Sequence, residues 1–327
     1  MFTRRQTVTG ILAAATAAVA PAIAETGPTL RLGALSGVAP MGPDTPLGKI
    51  LIGALADRGY TIGRNLSFDA RGAMAHMEKL PSLIAELKAQ GAQIFVTAGY
   101  PTTAATKAAG LATVAYTGAG DPVATGLIES WTHPGGLVTG ISDIAATLTV
   151  KRLEFLKALS PNLKRVAILW NADDRAMTLR YEASAATAQL QGLIIQGLGV
   201  REPDDFNGAF EAMDHDKPDA ILMVSDALMI LNRKRIIDFA AARRLPAIYE
   251  ADNYARDGGL MSYGADVKES LTRAAAMVDR IFKGTRPGDI PFEQPTRYLF
   301  VMNLKVARAM GLEPPVTLLG LADEVIE

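Results

Sequence analysis

Apolar runs of strand length alternate with helical stretches along most of this chain, and that alternation limits the fold more than any other feature. The apolar runs cover residues 30–35, 66–70, 93–98, 112–117, 137–141, 165–170, 192–198, 220–224, 247–250 and 260–263. Helical patterns fall between them, as at 80–89, 151–159, 233–243 and 270–282. Such alternation predicts an α/β fold of doubly wound parallel sheets with helices on both faces. Right-handed crossovers then bring the ligand-binding loops to the carboxyl ends of the strands. A length of 327 residues is enough for two lobes of ordinary domain size.

The N-terminus reads differently. Arg4 and Arg5 make a positive start, residues 11–20 are apolar but too short to span a bilayer, and Ala22-Ile23-Ala24 supplies small residues for cleavage. A cleavable signal peptide over residues 1–24 is therefore expected, with the mature chain starting near Glu25 and placed in the periplasm. Arg4-Arg5 after Thr3 suits twin-arginine export, whereas Thr7 and Thr9 depart from that motif, so the twin-arginine and Sec routes both stay open. The chain has no cysteine, hence no disulfide framework and no site for lipoprotein acylation. A net charge of -1 gives no general attraction to nucleic acid or anionic membrane. The basic runs Asn232-Arg233-Lys234-Arg235 and Arg243-Arg244 lie on an amphipathic helix and read as a solvated face, so no nucleic acid partner is expected.

The densest signals lie between Gly120 and Asn171. Gly120-Asp121-Pro122-Val123 reads as a strand-to-helix turn, and Pro134-Gly135-Gly136 leads into the short strand at 137–141. A helix bearing Lys151-Arg152-Leu153-Glu154 follows, then the buried strand at 165–170. One lobe ends here and a second begins, with Gly140 and Ser142 suited to a hinge that absorbs dihedral change without repacking a core. Asp143 can cap the following helix, and Pro161 ends it.

Taken with residues 297–303 and the terminal Ala322-Asp323-Glu324-Val325-Ile326, these motifs resemble one family from about Leu30 to the C-terminus. It is the periplasmic substrate-binding proteins of ABC importers, of the tryptophan/tyrosine type. The resemblance implies a type I periplasmic binding protein fold, solute capture without catalysis, no cofactor, and delivery of the solute to ABC permease membrane subunits. It adds two further crossings between lobes, near 263–266, where Gly264 joins the hinge, and near 284–292. The N-terminal lobe would then be 25–141 plus about 265–288, and the C-terminal lobe 142–264 plus about 289–327. A monomer is the natural state for a closing cleft. Phe68-Asp69-Ala70-Arg71-Gly72 stands where the family often has an aromatic-rich, acidic segment, and the 34–46 loop is Gly/Pro-rich and carries no aromatic residue. The solute therefore stays open among aromatic amino acids, aliphatic ones and other small carboxylated molecules.

Loops at strand ends nominate the site. In Gly99-Tyr100-Pro101-Thr102-Thr103 a strand breaks into a helix N-terminus, where free N–H groups and hydroxyls suit a carboxylate. Thr117, Gly118 and Asp121 form a comparable loop, in which Asp121 caps a helix or takes a ligand amine. Ser36 and Gly37 follow the first strand, with Met41 and Pro46 as an apolar wall. On the second lobe, Asn171, Ser225-Asp226 and Tyr249-Glu250 end three strands. An amino acid needs a carboxylate for its ammonium, which favours Asp226 with Glu250 as the alternative; Tyr100, Trp170, Tyr249 and Tyr263 could line the side-chain slot. His76, His133 and His215 lie too far apart for metal-ligand spacing. Gly118-Ala119-Gly120 lacks the full dinucleotide fingerprint, and no Gly-x-Ser-x-Gly elbow surrounds Ser36 or Ser225. The competing reading is an exported hydrolase using Asp121, Asp226 or Glu250, since paired carboxylates across a cleft serve glycoside hydrolysis.

Overall fold

The structure, a computed structural model, describes residues 28–327; the signal peptide expected over 1–24 lies outside the described residues. The first sheet is built from β1 (Leu30–Ser36), β2 (Leu66–Gly72), β3 (Ile94–Ala98), β4 (Ala112–Thr117) and β5 (Val138–Gly140). Helices α1 (Pro46–Ala56), α2 (Leu80–Ala89) and α3 (Tyr100–Ala108) connect them. The second sheet takes β6 (Arg165–Asn171), β7 (Ile194–Val200), β8 (Ala220–Met223), β9 (Ala247–Tyr249) and β10 (Met261–Ala265). Its helices are α4 (Thr149–Leu159), α5 (Arg175–Leu190), α6 (Asp205–Asp216), α7 (Ala227–Leu231), α8 (Arg233–Ala242) and α9 (Asp252–Arg256). The chain ends with α10 (Val267–Phe282), β11 (Tyr298–Asn303), α11 (Leu304–Ala309), α12 (Val316–Leu319) and β12 (Glu324–Ile326).

Strand order is β2-β1-β3-β4-β5 in one sheet and β12-β11-β10-β9-β8-β6-β7 in the other. The first five strands of each half thus follow one doubly wound scheme, with β6 and β8 standing where β1 and β3 stand. All pairings are parallel except β10 with β11. That exception departs from the all-parallel expectation and follows from connectivity. The chain leaves the second sheet after β10, contributes α10 to the first sheet, and re-enters from the same edge, so β11 must run back along β10.

Local chemistry explains these elements. β8 is buried at every residue, as a central parallel strand covered on both faces must be. Thr45, Asp174 and Asp266 accept N–H bonds at the starts of α1, α5 and α10, and Pro46 occupies the first turn of α1. Leu271, Ala274, Ala275 and Val278 of α10 share one apolar cluster with β1, β3, β4 and α1. Asp143 does not cap α4 as expected: α4 starts at Thr149 after a turn, leaving the Asp143 carboxylate free for other partners. Residues 121–128 form turns, not the helix expected after Gly120.

Three crossings join the sheets. Ile141 bridges Glu293, and Ser142 N–H donates to the Glu293 carbonyl, so the first and third run together. Ser142 Oγ donates to the Gly120 carbonyl and accepts from Ile144 N–H, fixing the exit from β5. Glycine is needed at two places here. A Cβ on Gly140 would stand 2.1 Å from the Ala115 carbonyl oxygen, and one on Gly264 would stand 1.8 Å from that of Glu250.

Candidate ligand-binding site

Doubly wound sheets bind ligands where strand order reverses, because neighbouring crossovers there leave in opposite directions and open a crevice. In the first sheet that point lies between β1 and β3, at Ser36-Gly37 and Gly99-Tyr100. In the second it lies between β6 and β8, at Asn171 and Ser225-Asp226. The two points face each other. A Cβ built on Gly37 would approach the Ala227 Cβ to 3.0 Å, and one on Gly120 would approach the Ala176 Cβ to 3.0 Å. Arg175 Nη2 reaches the Ala124 carbonyl at 3.4 Å across the same gap.

The first-sheet wall is backbone and hydroxyl. Ser36 Oγ accepts from Val38 N–H, and the Ser36 and Gly37 carbonyls accept from Ala73 and Ala75 N–H. The turn after β2 that holds these donors is strained: Met74 and Ala75 have φ of 52° and 62°. Met41, offered as an apolar wall, is instead in the core. Thr102 and Thr103 are buried, and their hydroxyls bond inward. Thr102 Oγ1 donates to the Ala98 and Gly99 carbonyls, and Thr103 Oγ1 shares a 2.8 Å bond with Thr97 Oγ1. Only backbone groups of that turn are left to meet a ligand, beside the half-buried Tyr100. Gly99 N–H donates to the Thr117 carbonyl, tying the β3 and β4 loops together. Asp121 is exposed and accepts from Val123 and Ala124 N–H, so it caps a turn.

The second-sheet wall is charged. Glu250 is not available to a ligand ammonium: Arg152 Nη1 donates to its Oε1 at 3.2 Å, Arg180 Nη1 to its Oε2 at 2.8 Å, and Ser225 N–H to Oε2 at 3.0 Å. Arg180 also grips both carboxylate oxygens of Asp143, which in turn accepts from Gly118 N–H of the first lobe. Arg152 reaches the Ala145 and Tyr263 carbonyls, beside the first and second crossings between the sheets. Burial pushes the Arg152 guanidinium below its ordinary range despite Glu250 beside it. At Arg180 burial acts the same way, but Asp143 and Glu250 outweigh it and raise the value.

Two further carboxylates complete this wall. Asp226 accepts from Met229 N–H at the start of α7 and from Asn171 Nδ2 at 2.5 Å, and burial raises its pKa. Asp174 caps α5 and is pushed up to about 6, by burial first and then by the neighbouring Asp226 charge. Asp226 therefore does cap a helix, a short one of which α8 is a separate continuation. Its second oxygen meets only the Asn171 amide, and that arrangement is suited to a cation.

Two expected slot residues lie elsewhere. Tyr249 is buried in the core, stacked on Tyr254 at 4.9 Å, because it alternates away from Glu250 along β9. Trp170 stacks on Tyr181 at 3.6 Å over the glycines of β7, where a Cβ at Gly199 would come within 3.0 Å of the indole. Tyr263 stays half-buried, edge-on to Phe155. Sequence reasoning missed Arg180, Asp174 and the pairing role of Arg152. The signal for Arg180 was its register: it shares a helix face with Ala176, Met177, Ser184 and Ala188, where an arginine must find a buried partner.

Comparison with known proteins agrees with this architecture. The chain is 23% identical over 266 residues to a tyrosine-binding protein of Clostridioides difficile, covering 81% of this chain and 76% of that one. A conserved domain protein from Vibrio cholerae superposes with a TM-score of 0.83 at 22% identity, over 91% of this chain and all of that one (100%). A Streptococcus ABC domain in complex with L-Trp superposes with a TM-score of 0.76 at 24% identity, over 90% of this chain and 100% of that one. Residues 48–326 match the family described as ABC transporter substrate binding protein, and the chain belongs to that family.

Proposed function

We propose that this protein is the periplasmic solute-binding component of an ABC importer, which captures an amino acid by closure of its two lobes and hands it to membrane permease subunits. The observation that carries this reading is the facing pair of switch points, one wall offering backbone donors and the other an acidic floor. An amino acid has matching ends. Its carboxylate meets the N–H groups at the start of α3, and its ammonium meets Asp226 beside Asn171 and Asp174. Tyr100 and Tyr263 flank the side chain. Contacts on both lobes favour the closed state, since only differential affinity shifts such an equilibrium. The tyrosine-binding relative and the L-Trp-bound neighbour support an aromatic amino acid as the solute.

The hinge is Gly140, Ser142 and Gly264, and the lobes divide at the three crossings. Residues 1–24 direct export, and the mature protein acts as a monomer. Among the described residues no helix is long and apolar enough to cross a membrane. The hydrolase alternative loses two of its three carboxylates, because Glu250 is held by two arginines and Asp121 by its own turn, which leaves Asp226 without a partner carboxylate across the cleft.

A thermal-shift screen of residues 25–327, unfolded and refolded to strip carried-over ligand, tests the reading. Aromatic amino acids should raise the melting temperature saturably, by mass action on the folded state, with no product formed. No shift with any amino acid would end this assignment.

A further inference from the structure

The lobes touch through two small-on-small contacts whose placement follows from the topology. Gly37, after β1, meets Ala227 at the first residue of α7; Gly120, after β4, meets Ala176 in the first turn of α5. In the first sheet β3 lies between β1 and β4, so the Gly99–Tyr100 turn and the start of α3 sit between the two contacts. In the second sheet α5 and α7 follow the adjacent strands β6 and β8, so the Asn171–Asp226 hydrogen bond sits between them as well. The contacts therefore bracket the proposed ligand space on both sides. At each of them a single added methyl would come to 3.0 Å from a Cβ, inside the ordinary carbon–carbon separation, so the neighbour would have to give way, and at Gly37 it would also stand 3.1 Å from Met77 Cε.

We infer that Gly37–Ala227 and Gly120–Ala176 are the stops that set how far the lobes close, and thereby the size of solute that can be enclosed. The inference rests on the solute-capture reading above. Gly37 is the better probe of the two, because Gly120 has φ of +66° and resists substitution for backbone reasons. An added side chain at Gly37 holds the lobes apart, so a ligand contacting one wall loses its contacts with the other.

The test measures L-tyrosine and L-tryptophan affinity by calorimetry, with small-angle scattering of the liganded state, for wild type, Gly37→Ala, Gly37→Val and Gly37→Ala/Ala227→Gly. The expected series is a several-fold loss for Gly37→Ala and at least tenfold for Gly37→Val, with a larger liganded radius of gyration. The double variant, which again leaves one methyl across the contact, should recover most of the affinity. Melting temperatures without ligand should stay within a few degrees of wild type, which separates wedging from misfolding. Full affinity in Gly37→Val, or a double variant as weak as Gly37→Ala, would overturn the inference and leave the functional reading intact. A wild type that binds neither amino acid would remove the functional reading and the inference with it.

Discussion

The two walls of the cleft share a strand order but not a chemistry. Each is formed by loops at the carboxyl ends of strands arranged 2-1-3-4-5 in its half of the chain. The first wall presents Gly37, Gly99, Gly118 and Gly120, with the Thr102 and Thr103 hydroxyls turned into their own backbone. The second presents Asn171, Asp174 and Asp226 over the ion-paired Glu250, Arg152 and Arg180. Equal positions thus divide the work. A glycine wall allows close approach and offers donors that no side chain can alter. In the proposed capture of an amino acid, a charged wall would meet the ligand's polar end, and it must be held rigid before the ligand arrives because unpaired buried charge is costly.

The largest expected effect tests that rigidity. Glu250→Gln leaves two buried guanidinium groups without their shared carboxylate, which should cost about 3–5 kcal/mol. The melting temperature should then fall on the order of 10 °C. Asp121→Asn, at an exposed cap of the first wall, should cost no more than a few tenths of a kcal/mol. Equal losses in calorimetry would break the contrast between the walls.

Next comes pH. Asp174 binds its proton more tightly folded than unfolded, with a pKa of about 6 against the ordinary 3.8. Its stabilising share is complete below 3.8 and is lost as pH rises through about 6, amounting to about 3 kcal/mol at most. Asp174→Asn keeps a capping side chain and should flatten the stability curve over that window, raising the melting temperature at pH 7 to 8. An unchanged pH profile would show that burial and the Asp226 charge do not raise the Asp174 pKa.

Smaller effects concern the ligand. Asp226→Ala should weaken an amino acid at least tenfold in calorimetry, by stranding its ammonium. Undiminished affinity would move the cation site off this wall. Thr102→Ala with Thr103→Ala should lower affinity only a few-fold, because the donors of α3 are backbone. A loss as large as that of Asp226→Ala would mean that the first wall also selects through side chains.

The positions of the cleft loops were legible because strand ends are marked locally. Gly99-Tyr100, Gly118, Asn171 and Ser225-Asp226 each follow an apolar run, and topology sends such loops to the crevice. Side-chain direction was not legible. Tyr249 and Glu250 are adjacent, yet one enters the core and the other the ion-pair network, since alternate residues of a strand point to opposite faces. Asp121 and Asp143 both look like helix caps in sequence. One caps a turn on the surface, and the other is drawn to Arg180, a residue distant in sequence.

What the sequence determined alone was the α/β alternation and most of its strands, because strand and helix periodicity and turn residues act over a few positions; the family followed from the resemblance of its motifs. What only the tertiary structure decided was the partnership of Arg152, Arg180, Glu250 and Asp143, the antiparallel β11, and the contacts of Gly37 and Gly120. Those depend on where the three crossings bring distant segments together. Ion pairing and close packing act over a few ångströms in space, whatever the separation along the chain.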